Sequence, residues 1–313
     1  MTFLQSARSP LLDATPSRTT QLSPVFPLVV AITADAAAGA AIHMTHALAQ
    51  ECGAVPTVLR VVQSDVAVDA AVTGAMGGIA EGALDPSYRT TQLTALQHQV
   101  EHILGELPPW HYDIEVGATV STLVARTRAL RAELVILGLP QHNFFRRAFV
   151  RDTVQGVAEH TDAAVLALRP DATDRPASIL VAVDFSVSSL RAVHLACQLV
   201  APGGRIILVY VQPEASAESS MNALHRRADG TTALNAAFMS LITELTSQRT
   251  LTITSVIEYG NSIRGVKDVA QRMQPDMIAL GMHHHSAVDW FFGDSVSTNL
   301  VSERQWSLLL VPA

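Results

Sequence analysis

Short apolar runs and helical-period segments follow one another in a fixed order that occurs twice along the chain. In the first half, the strand-like run Leu28–Ile32 leads into a helical segment that ends at Gly53. In the second half, Ile179–Val183 leads into a helical segment that ends at Gly204, and both landmarks lie 151 residues after their counterparts. Matching order and spacing at several places are typical of an internal repeat. The pattern therefore predicts two homologous domains.

The later landmarks of the repeat support the same interpretation. Ile257–Gly260 and Met277–Gly281 lie 143 residues after Ile114–Gly117 and Leu134–Gly138, so one loop in the middle of the unit differs in length. We predict strands near 28–32, 55–62, 112–116, 134–138 and 164–168, and near 179–183, 206–211, 251–258, 276–281 and 306–311. Unalternated apolar strands separated by helices predict βαβ units and a parallel sheet that is covered on both faces.

One helix in each copy is predicted between the second and third strands. Its apolar positions recur at spacings of three and four, which indicates a face that packs on the core. These positions are Leu93, Leu96, Val100, Ile103, Leu104 and Leu107 in the first copy and Leu234, Phe238, Leu241, Ile242 and Leu245 in the second. The stretches before these helices, 64–90 and 213–231, are long enough to be either mobile loops, which we favour, or lids.

The domain boundaries follow from local composition. Residues 1–24 are rich in Ser, Thr, Pro and Arg and are expected to form a disordered tail. The short polar stretch Arg169–Pro176 is bounded by prolines, as an interdomain linker is expected to be. We therefore predict a first domain over 25–170, a linker over 171–177 and a second domain over 178–313.

Composition limits the possible classes of function. Apolar residues make up 49% of the 313 residues, which suffices for two packed cores, and no run reaches the ~20 apolar residues that cross a bilayer. A net charge of −7 with 21 Lys and Arg residues argues against a nucleic-acid partner. Cys52 and Cys197 are solitary, which argues against a disulfide framework and fits a reducing compartment. With no signal-peptide pattern at the start, we expect a soluble cytoplasmic protein that does not bind membranes.

Candidate chemistry lies after the first and fourth strands of the second copy, because ligands of doubly wound sheets bind beyond the carboxyl ends of the strands. Asp184 follows the first strand and could accept hydrogen bonds from a ribose or lie near a metal ion; equally, Asp184 and Ser186 could be turn and capping residues. After the fourth strand, a loop that starts at Gly281 leads to a predicted helix from about Ser295. A loop delivered onto a helix N-terminus supplies N–H groups that suit a phosphate.

These segments resemble the universal stress protein family, and the whole chain from about residue 25 onward resembles a tandem two-domain member of it. The resemblance is carried by Val181–Asp184, Leu208–Val211, Glu258–Gly260 and the loop Gly281–Val296. It implies an α/β fold of two tandem doubly wound five-stranded parallel-sheet domains, adenine-nucleotide alpha-hydrolase-like, that pair through their last strands. The family habit and the apolar last strand also favour a homodimer.

For the ATP-binding branch of the family, the resemblance implies an adenine-nucleotide site in the second domain, with Mg²⁺ as a possible companion of ATP. Asp184 then lies toward the ribose or a metal, and the backbone of Val211 lies toward the base. Gly281 and Ser295 lie toward the phosphates, at two positions of a loop pattern that reads G-x-x-G, nine residues, then G-[ST].

The phosphate loop departs from the family pattern at two glycine positions. His284 occupies the second glycine position and Asp294 the third, while Gly293 lies one residue early. A Cβ and an imidazole at His284 obstruct a close backbone approach to phosphate oxygens, so this residue modifies or blocks the site. Asp294 adds a negative charge beside the phosphates unless Mg²⁺ intervenes.

The first copy departs further from the pattern. Thr33 replaces the opening aspartate, Gln141 stands at the second glycine position, and Arg151–Thr153 replaces the glycine-serine end. Of the pattern's residues only Gly138 remains, so we expect a structural role for this domain.

We therefore predict a non-catalytic stress-response and regulatory protein with a candidate ATP site in its second domain. The alternative is a nucleotide-free interaction scaffold of the same fold, whose loops and strand edges bind protein partners. A nucleotide-dependent hydrolase or transferase is the weakest of the hypotheses, because no catalytic motif is present. A metal site in the run His283–His285 is disfavoured, because three consecutive imidazoles do not easily converge on one ion.

Overall fold

Within each copy strands and helices alternate along the chain, and the strands of both copies join one ten-stranded sheet. The computed structural model describes residues 27–32, 38–62, 85–139, 153–172, 175–212, 221–248, 251–282, 300 and 305–313. The first copy contributes β1 (Leu28–Ala31), β2 (Thr57–Val62), β3 (His111–Val116), β4 (Leu134–Gly138) and β5 (Ala164–Leu168). The second copy contributes β6 (Ser178–Ala182), β7 (Arg205–Gln212), β8 (Thr252–Tyr259), β9 (Met277–Gly281) and β10 (Ser307–Val311).

The strand order across the sheet is β3-β2-β1-β4-β5-β10-β9-β6-β7-β8. Each copy thus has its third, second, first, fourth and fifth strands side by side, and all neighbours within a copy are parallel. This is the doubly wound arrangement, in which the order reverses between the first and fourth strands. The fold class predicted from the sequence is confirmed.

Helices cover both faces of the sheet. Within the described ranges the helices are α1 (Ala38–Cys52), α2 (Pro86–Leu104), α3 (Thr119–Ala129), α4 (153–160), α5 (Val187–Leu199), α6 (Met221–Gln248) and α7 (Ser262–Met273), and residue 300 is also helical. One continuous core lies between the sheet and α1, α2, α5 and α6, and a second lies between the sheet and α3, α4 and α7. Because both faces are buried, the central strands carry continuous apolar runs.

The two copies join through their last strands. β5 and β10 pair antiparallel, with Leu166 opposite Leu309, and every residue of both strands is buried. On its other side β10 pairs with β9, so both of its edges are occupied within one chain. The expected pairing through the last strand is therefore present inside the molecule. The apolar last strand was the wrong reason to expect a homodimer, since this strand has no edge left for a second chain.

Two predicted element ends are corrected. β2 begins at Thr57 and not at Val55, because Val55 is 51% exposed and Pro56 has no N–H to donate to a ladder. α2 ends at Leu104, since Gly105 adopts the left-handed conformation (φ 79°) that terminates helices. Leu107 consequently lies beyond the helix and is 45% exposed, so its assignment to the core stripe was wrong.

Several predicted segments lie outside the described residues. They are the tail over 1–24, residues 64–84 of the first long stretch, residues 213–220 of the second, and Thr173 and Asp174 of the linker. Among the helices that are described, none combines the length and the apolar character that a membrane span requires.

Candidate functional site

The crevice of interest lies at the carboxyl ends of β6 and β9. The chain leaves β6 toward β7 on one side and leaves β9 toward β10 on the other, so the strand order reverses between these two strands. Ligands of open α/β sheets bind at such a point. The structure places Asp184 after β6, Gly281 at the end of β9 and Val211 near the end of β7. Three of the predicted site residues therefore lie at the carboxyl ends of neighbouring strands.

The turn after β6 is built by hydrogen bonds among polar side chains. A carboxylate oxygen of Asp184 accepts from the N–H of Ser186 (2.9 Å), which closes an Asx turn. Ser186 is the N-cap of α5, and its hydroxyl oxygen accepts from the N–H of Ser189 (3.2 Å). The Ser189 hydroxyl donates to the carbonyl of Ser186 (3.1 Å) and accepts from the Asp184 N–H (3.4 Å). The turn and capping roles are thus present, and Asp184 remains exposed at the crevice.

The first turn of α5 directs the positive end of its helix dipole toward the same crevice. Ser188 and Ser189 are buried at 1% and 2% exposure, and the hydroxyls of Ser186 and Ser188 lie 3.2 Å apart. A helix N-terminus attracts anions through its N–H groups and its dipole. Asp184 adds a carboxylate beside this terminus. The crevice therefore has a group that attracts anions, the N-terminus of α5, and a group that attracts cations, the Asp184 carboxylate.

Gly281 lets α5 approach the end of β9 closely. A Cβ at this position would lie 2.4 Å from the Ser189 nitrogen, 2.6 Å from the Ser188 carbonyl carbon and 2.8 Å from the Ser188 Oγ. Two of these three contacts are with backbone atoms, which cannot rotate away. The glycine is therefore required by the packing of the fold, whatever contact its N–H makes with a ligand.

Val211 presents its backbone to the crevice and its side chain to α7. The Val209 carbonyl accepts from the Val183 N–H (2.8 Å), so the backbone groups of Val211, two residues on, point to the same side, beyond the end of β6. The Val211 methyl groups lie 2.8 and 2.9 Å from where a Cβ on Gly265 would be. Gly265 inside α7 thus makes room for Val211. A glycine inside a helical pattern is a sequence signal that could have indicated this close contact.

An aromatic cluster, which sequence reasoning missed, lies beside the turn. Phe185 has a φ of 62°, a left-handed conformation that is uncommon for a bulky residue. Its ring is 5.2 Å from the ring of Phe238 and 6.1 Å from that of Tyr210, in tilted arrangements typical of aromatic pairs. Phe238 is 1% exposed, so this packing holds the turn that carries Asp184 against α6 and β7.

The first domain differs at the matching place. Ala31 pairs with Leu59 as Ala182 pairs with Val209, so Arg60 occupies the register position of Tyr210. Arg60 is 9% exposed and donates to the Oε1 of Gln99 (2.5 Å), while its Nε has no hydrogen-bond partner in the described part of the chain. Burial lowers the pKa of the Arg60 guanidinium. A charged residue thus stands where the aromatic cluster has Tyr210, and its signal was an arginine within a largely apolar strand.

The remaining predicted site residues lie outside the described residues. They are His284, Gly293, Asp294 and Ser295 of the phosphate loop, the run His283–His285, and Thr33, Gln141, Arg151 and Asp152 of the first domain. Gly138 ends β4, as Gly281 ends β9. Within the described ranges, no group of three or more His, Cys, Asp or Glu residues is arranged to hold a metal ion.

Comparisons with known proteins agree on one fold. The model of the Universal stress protein family matches residues 26–169 and again residues 177–312. A universal stress protein from Archaeoglobus fulgidus DSM 4304 is similar in structure, with a TM-score of 0.60 and 13% identity over 93% of this chain and 97% of that one. A functionally unknown protein from Pseudomonas aeruginosa PAO1 has a TM-score of 0.56 and 14% identity over 91% and 92%. A search among curated proteins gave no match.

Proposed function

The chain belongs to the universal stress protein family, and on that premise we propose that it is a non-catalytic stress-response and regulatory protein that binds ATP in its second domain. The site consists of Asp184, the backbone of Val211, Gly281, and the phosphate-loop residues His284, Gly293 and Ser295. The first domain serves as the structural partner of the second. A cytoplasmic location is part of this proposal.

The observation that carries the proposal is the convergence of three different groups at the switch point. An exposed carboxylate at Asp184, the N-terminus of α5 and the outward backbone of Val211 lie around the carboxyl ends of adjacent strands. A nucleotide has a base edge that hydrogen-bonds a backbone, a ribose whose hydroxyls donate to a carboxylate, and phosphates that favour a helix N-terminus. The three groups suit these three parts.

The first domain supports the assignment by contrast. Its β2 carries a buried arginine at the position of Tyr210, and its sequence has Thr33 in place of the aspartate. A threonine hydroxyl is a weaker acceptor for ribose hydroxyls and carries no charge to hold a metal ion. We therefore expect one nucleotide per chain and not two.

Calorimetric titration of the full chain with ATP, with and without Mg²⁺, tests the proposal. We expect saturable binding near one site per chain that is lost in Asp184→Ala and weakened in Ser295→Ala. Asp184→Asn keeps an oxygen that accepts from the Ser186 N–H but removes the charge, so it separates the turn from the ligand contact. Asp162→Asn, at an exposed carboxylate before β5 in the first domain, is the matched control and should bind as the wild type does.

The opposite outcome favours the second candidate function. If neither heat nor a thermal shift appears at millimolar ATP, the departures at His284 and Asp294 have closed the site. The chain is then a nucleotide-free scaffold that binds protein partners. The observation that favours this candidate is that no strand within the described ranges pairs with the outer side of β8. The same edge bears on a homodimer, the assembly that we propose for this protein.

A further inference from the structure

The two edges of the ten-stranded sheet are β3 and β8. An edge strand presents unpaired N–H and C=O groups that can pair with another chain, and proteins commonly protect such edges with charged side chains. The two edges of this sheet differ in that protection, although they belong to equivalent strands of the two copies.

The β3 edge is blocked by its own side chains. The His111 N–H donates to the Pro56 carbonyl on the β2 side (3.0 Å). The odd-numbered residues of β3 therefore direct their backbone N–H and C=O groups toward β2, and Ile114 directs its N–H outward. A carboxylate oxygen of Asp113 accepts from that Ile114 N–H (2.9 Å). Arg89 and Arg126 both bind the same Asp113 carboxylate. The central outward amide is occupied, and two guanidinium groups stand beside it.

Within the described residues, the β8 edge shows no comparable protection. All eight residues of β8 are in register with β7, and the Thr252 N–H donates to the Gly204 carbonyl (3.1 Å) on that side. The alternate residues Ile253, Ser255 and Ile257 therefore direct their N–H and C=O groups outward. Residues 252–257 carry no charge, and no strand within the described ranges pairs with their outer side. The charged residue in the strand is Glu258, which pairs with Arg272 of α7 (2.5 Å).

We infer that β8 pairs antiparallel with β8 of a second copy of this chain, about a two-fold axis at Ser255. Each Ser255 then lies opposite its own counterpart, and Ile253 of each copy lies opposite Ile257 of the other. Each of these three opposed pairs exchanges two backbone hydrogen bonds, about six in all. The interface extends each sheet through its edge, so the two molecules form one continuous twenty-stranded sheet.

The side chains of β8 are complementary to themselves in this register. The two Ile253–Ile257 pairs bring β-branched residues together on one face, which favours sheet pairing. Tyr259, 51% exposed in the single chain, comes opposite Leu251 of the other copy and gains an apolar neighbour. Glu258 comes opposite Thr252, so the two carboxylates stay apart. For a chain with a net charge of −7, an uncharged contact strand lets two copies approach without close repulsion.

This inference rests on the homodimer proposed above and is independent of ATP. A second copy is the favoured partner because two β8 strands in this antiparallel register form the backbone hydrogen bonds and pair isoleucine with isoleucine. The same register keeps the two Glu258 carboxylates apart. The last strands, which are paired with each other inside the chain, are not available for this purpose. An isologous contact of this kind closes into a dimer and does not propagate.

The mass of the full chain, measured by light scattering and sedimentation over a range of concentrations, tests the inference. We expect a dimer for the wild type and at least about tenfold weaker dimerisation for Ser255→Pro, which removes an outward N–H but no bond to β7. Ser255→Lys and Ser255→Glu should each weaken the dimer about fivefold, because like charges then meet on the axis. An equal mixture of these two variants should recover a dimer of wild-type strength.

Recovery on mixing is the decisive readout, because a variant that merely misfolds is not rescued by another. Ala95→Lys and Ala95→Glu, at an exposed position on α2, are the matched controls and should dimerise alone and mixed as the wild type does. Ser255→Cys should form an interchain disulfide on mild oxidation, since the opposed Cα atoms lie about 5.5 Å apart. Thr252→Cys should not, because its two copies lie about 20 Å apart in this register.

Two different results would overturn the inference, and they can be told apart. A wild-type chain that stays monomeric at every concentration overturns the homodimer itself. A dimer that persists in Ser255→Pro and in both single-charge variants overturns the β8 surface while leaving the homodimer in place. Neither result depends on ATP binding, so the nucleotide proposal stands or fails separately.

Discussion

Replacing Gly281 by alanine should destabilise the second domain even when no nucleotide is present. The added Cβ would lie 2.4 Å from the Ser189 nitrogen, where ordinary contacts begin at 3.4 Å, so α5 or β9 must move by about 1 Å. Backbone atoms form two of the three close contacts, so no side-chain rotation relieves them. β9 lies inside the sheet, between β10 and β6, and has little freedom to move.

The expected loss of stability follows from two contributions. Overpacking a close contact typically costs about 1–3 kcal/mol, and the rigid neighbours here favour the upper part of that range. A displacement of the first turn of α5 also strains the hydrogen bond from the Ser189 N–H to the Ser186 hydroxyl, for which about 1 kcal/mol is typical of a helix cap. We therefore expect a loss of about 2–4 kcal/mol, a large fraction of the roughly 5–15 kcal/mol by which domains are stable.

Urea unfolding followed by circular dichroism, together with hydrogen exchange of the segment 183–192, measures this loss. The expected result is a lower unfolding midpoint and faster exchange at the start of α5. Gly39→Ala is the matched control, because its Cβ would meet nothing within 4 Å and it lies in α1, where alanine is favoured over glycine by up to about 1 kcal/mol. The control should be equally or more stable than the wild type. A Gly281→Ala variant as stable as the wild type would refute the packing argument and leave a ligand contact as the reason for the glycine.

Three further predictions follow from packing, burial and capping. Gly265→Ala should cost about 1–2 kcal/mol because of its contact with the Val211 methyls, and Val211→Ala in the same chain should relieve part of this, with a coupling of at least about 0.5 kcal/mol in a double-mutant cycle. Burial raises the pKa of Tyr112 to about 12, so the unfolded chain loses this proton first and stability should fall as the pH rises from about 10 to 12; in Tyr112→Phe that part of the fall should be absent from pH-dependent urea curves. Arg175 donates to carbonyls at the end of α5 and to Glu51 of α1, so Arg175→Met should lower the free energy of unfolding by about 2 kcal/mol. Glu51→Gln, at a half-exposed partner, should change it by less than about 0.5 kcal/mol, and equal effects in the two variants would contradict the capping role.

How much of the site was predictable differs from residue to residue. The position of Asp184 at a strand tip followed from local order, because an apolar run, an acidic residue and capping serines are all within a few positions of one another. The reason for Gly281 did not follow, because its contact with Ser188 and Ser189 joins segments about ninety positions apart in the chain. The same holds for the ring contact of Phe185 with Phe238 and for the place of Arg60 beside α2. Such contacts have no local period that a sequence pattern could display.

The sequence by itself determined the two copies, the alternation of strands and helices, and the parallel sheet. These properties depend on the spacing of apolar residues, which sets the buried face of a helix and the burial of a strand on both sides. The joining of the two domains into one sheet was expected from the family resemblance and not from any pattern in the sequence. The structure showed that β3 and β8 are the two edge strands of the joined sheet. Only the tertiary structure showed that Asp113 occupies an outward amide of β3 and that no comparable group within the described residues does so on β8, because the direction of each backbone amide depends on register with the neighbouring strand. Register is a relation between distant segments, and it is fixed only when they pack.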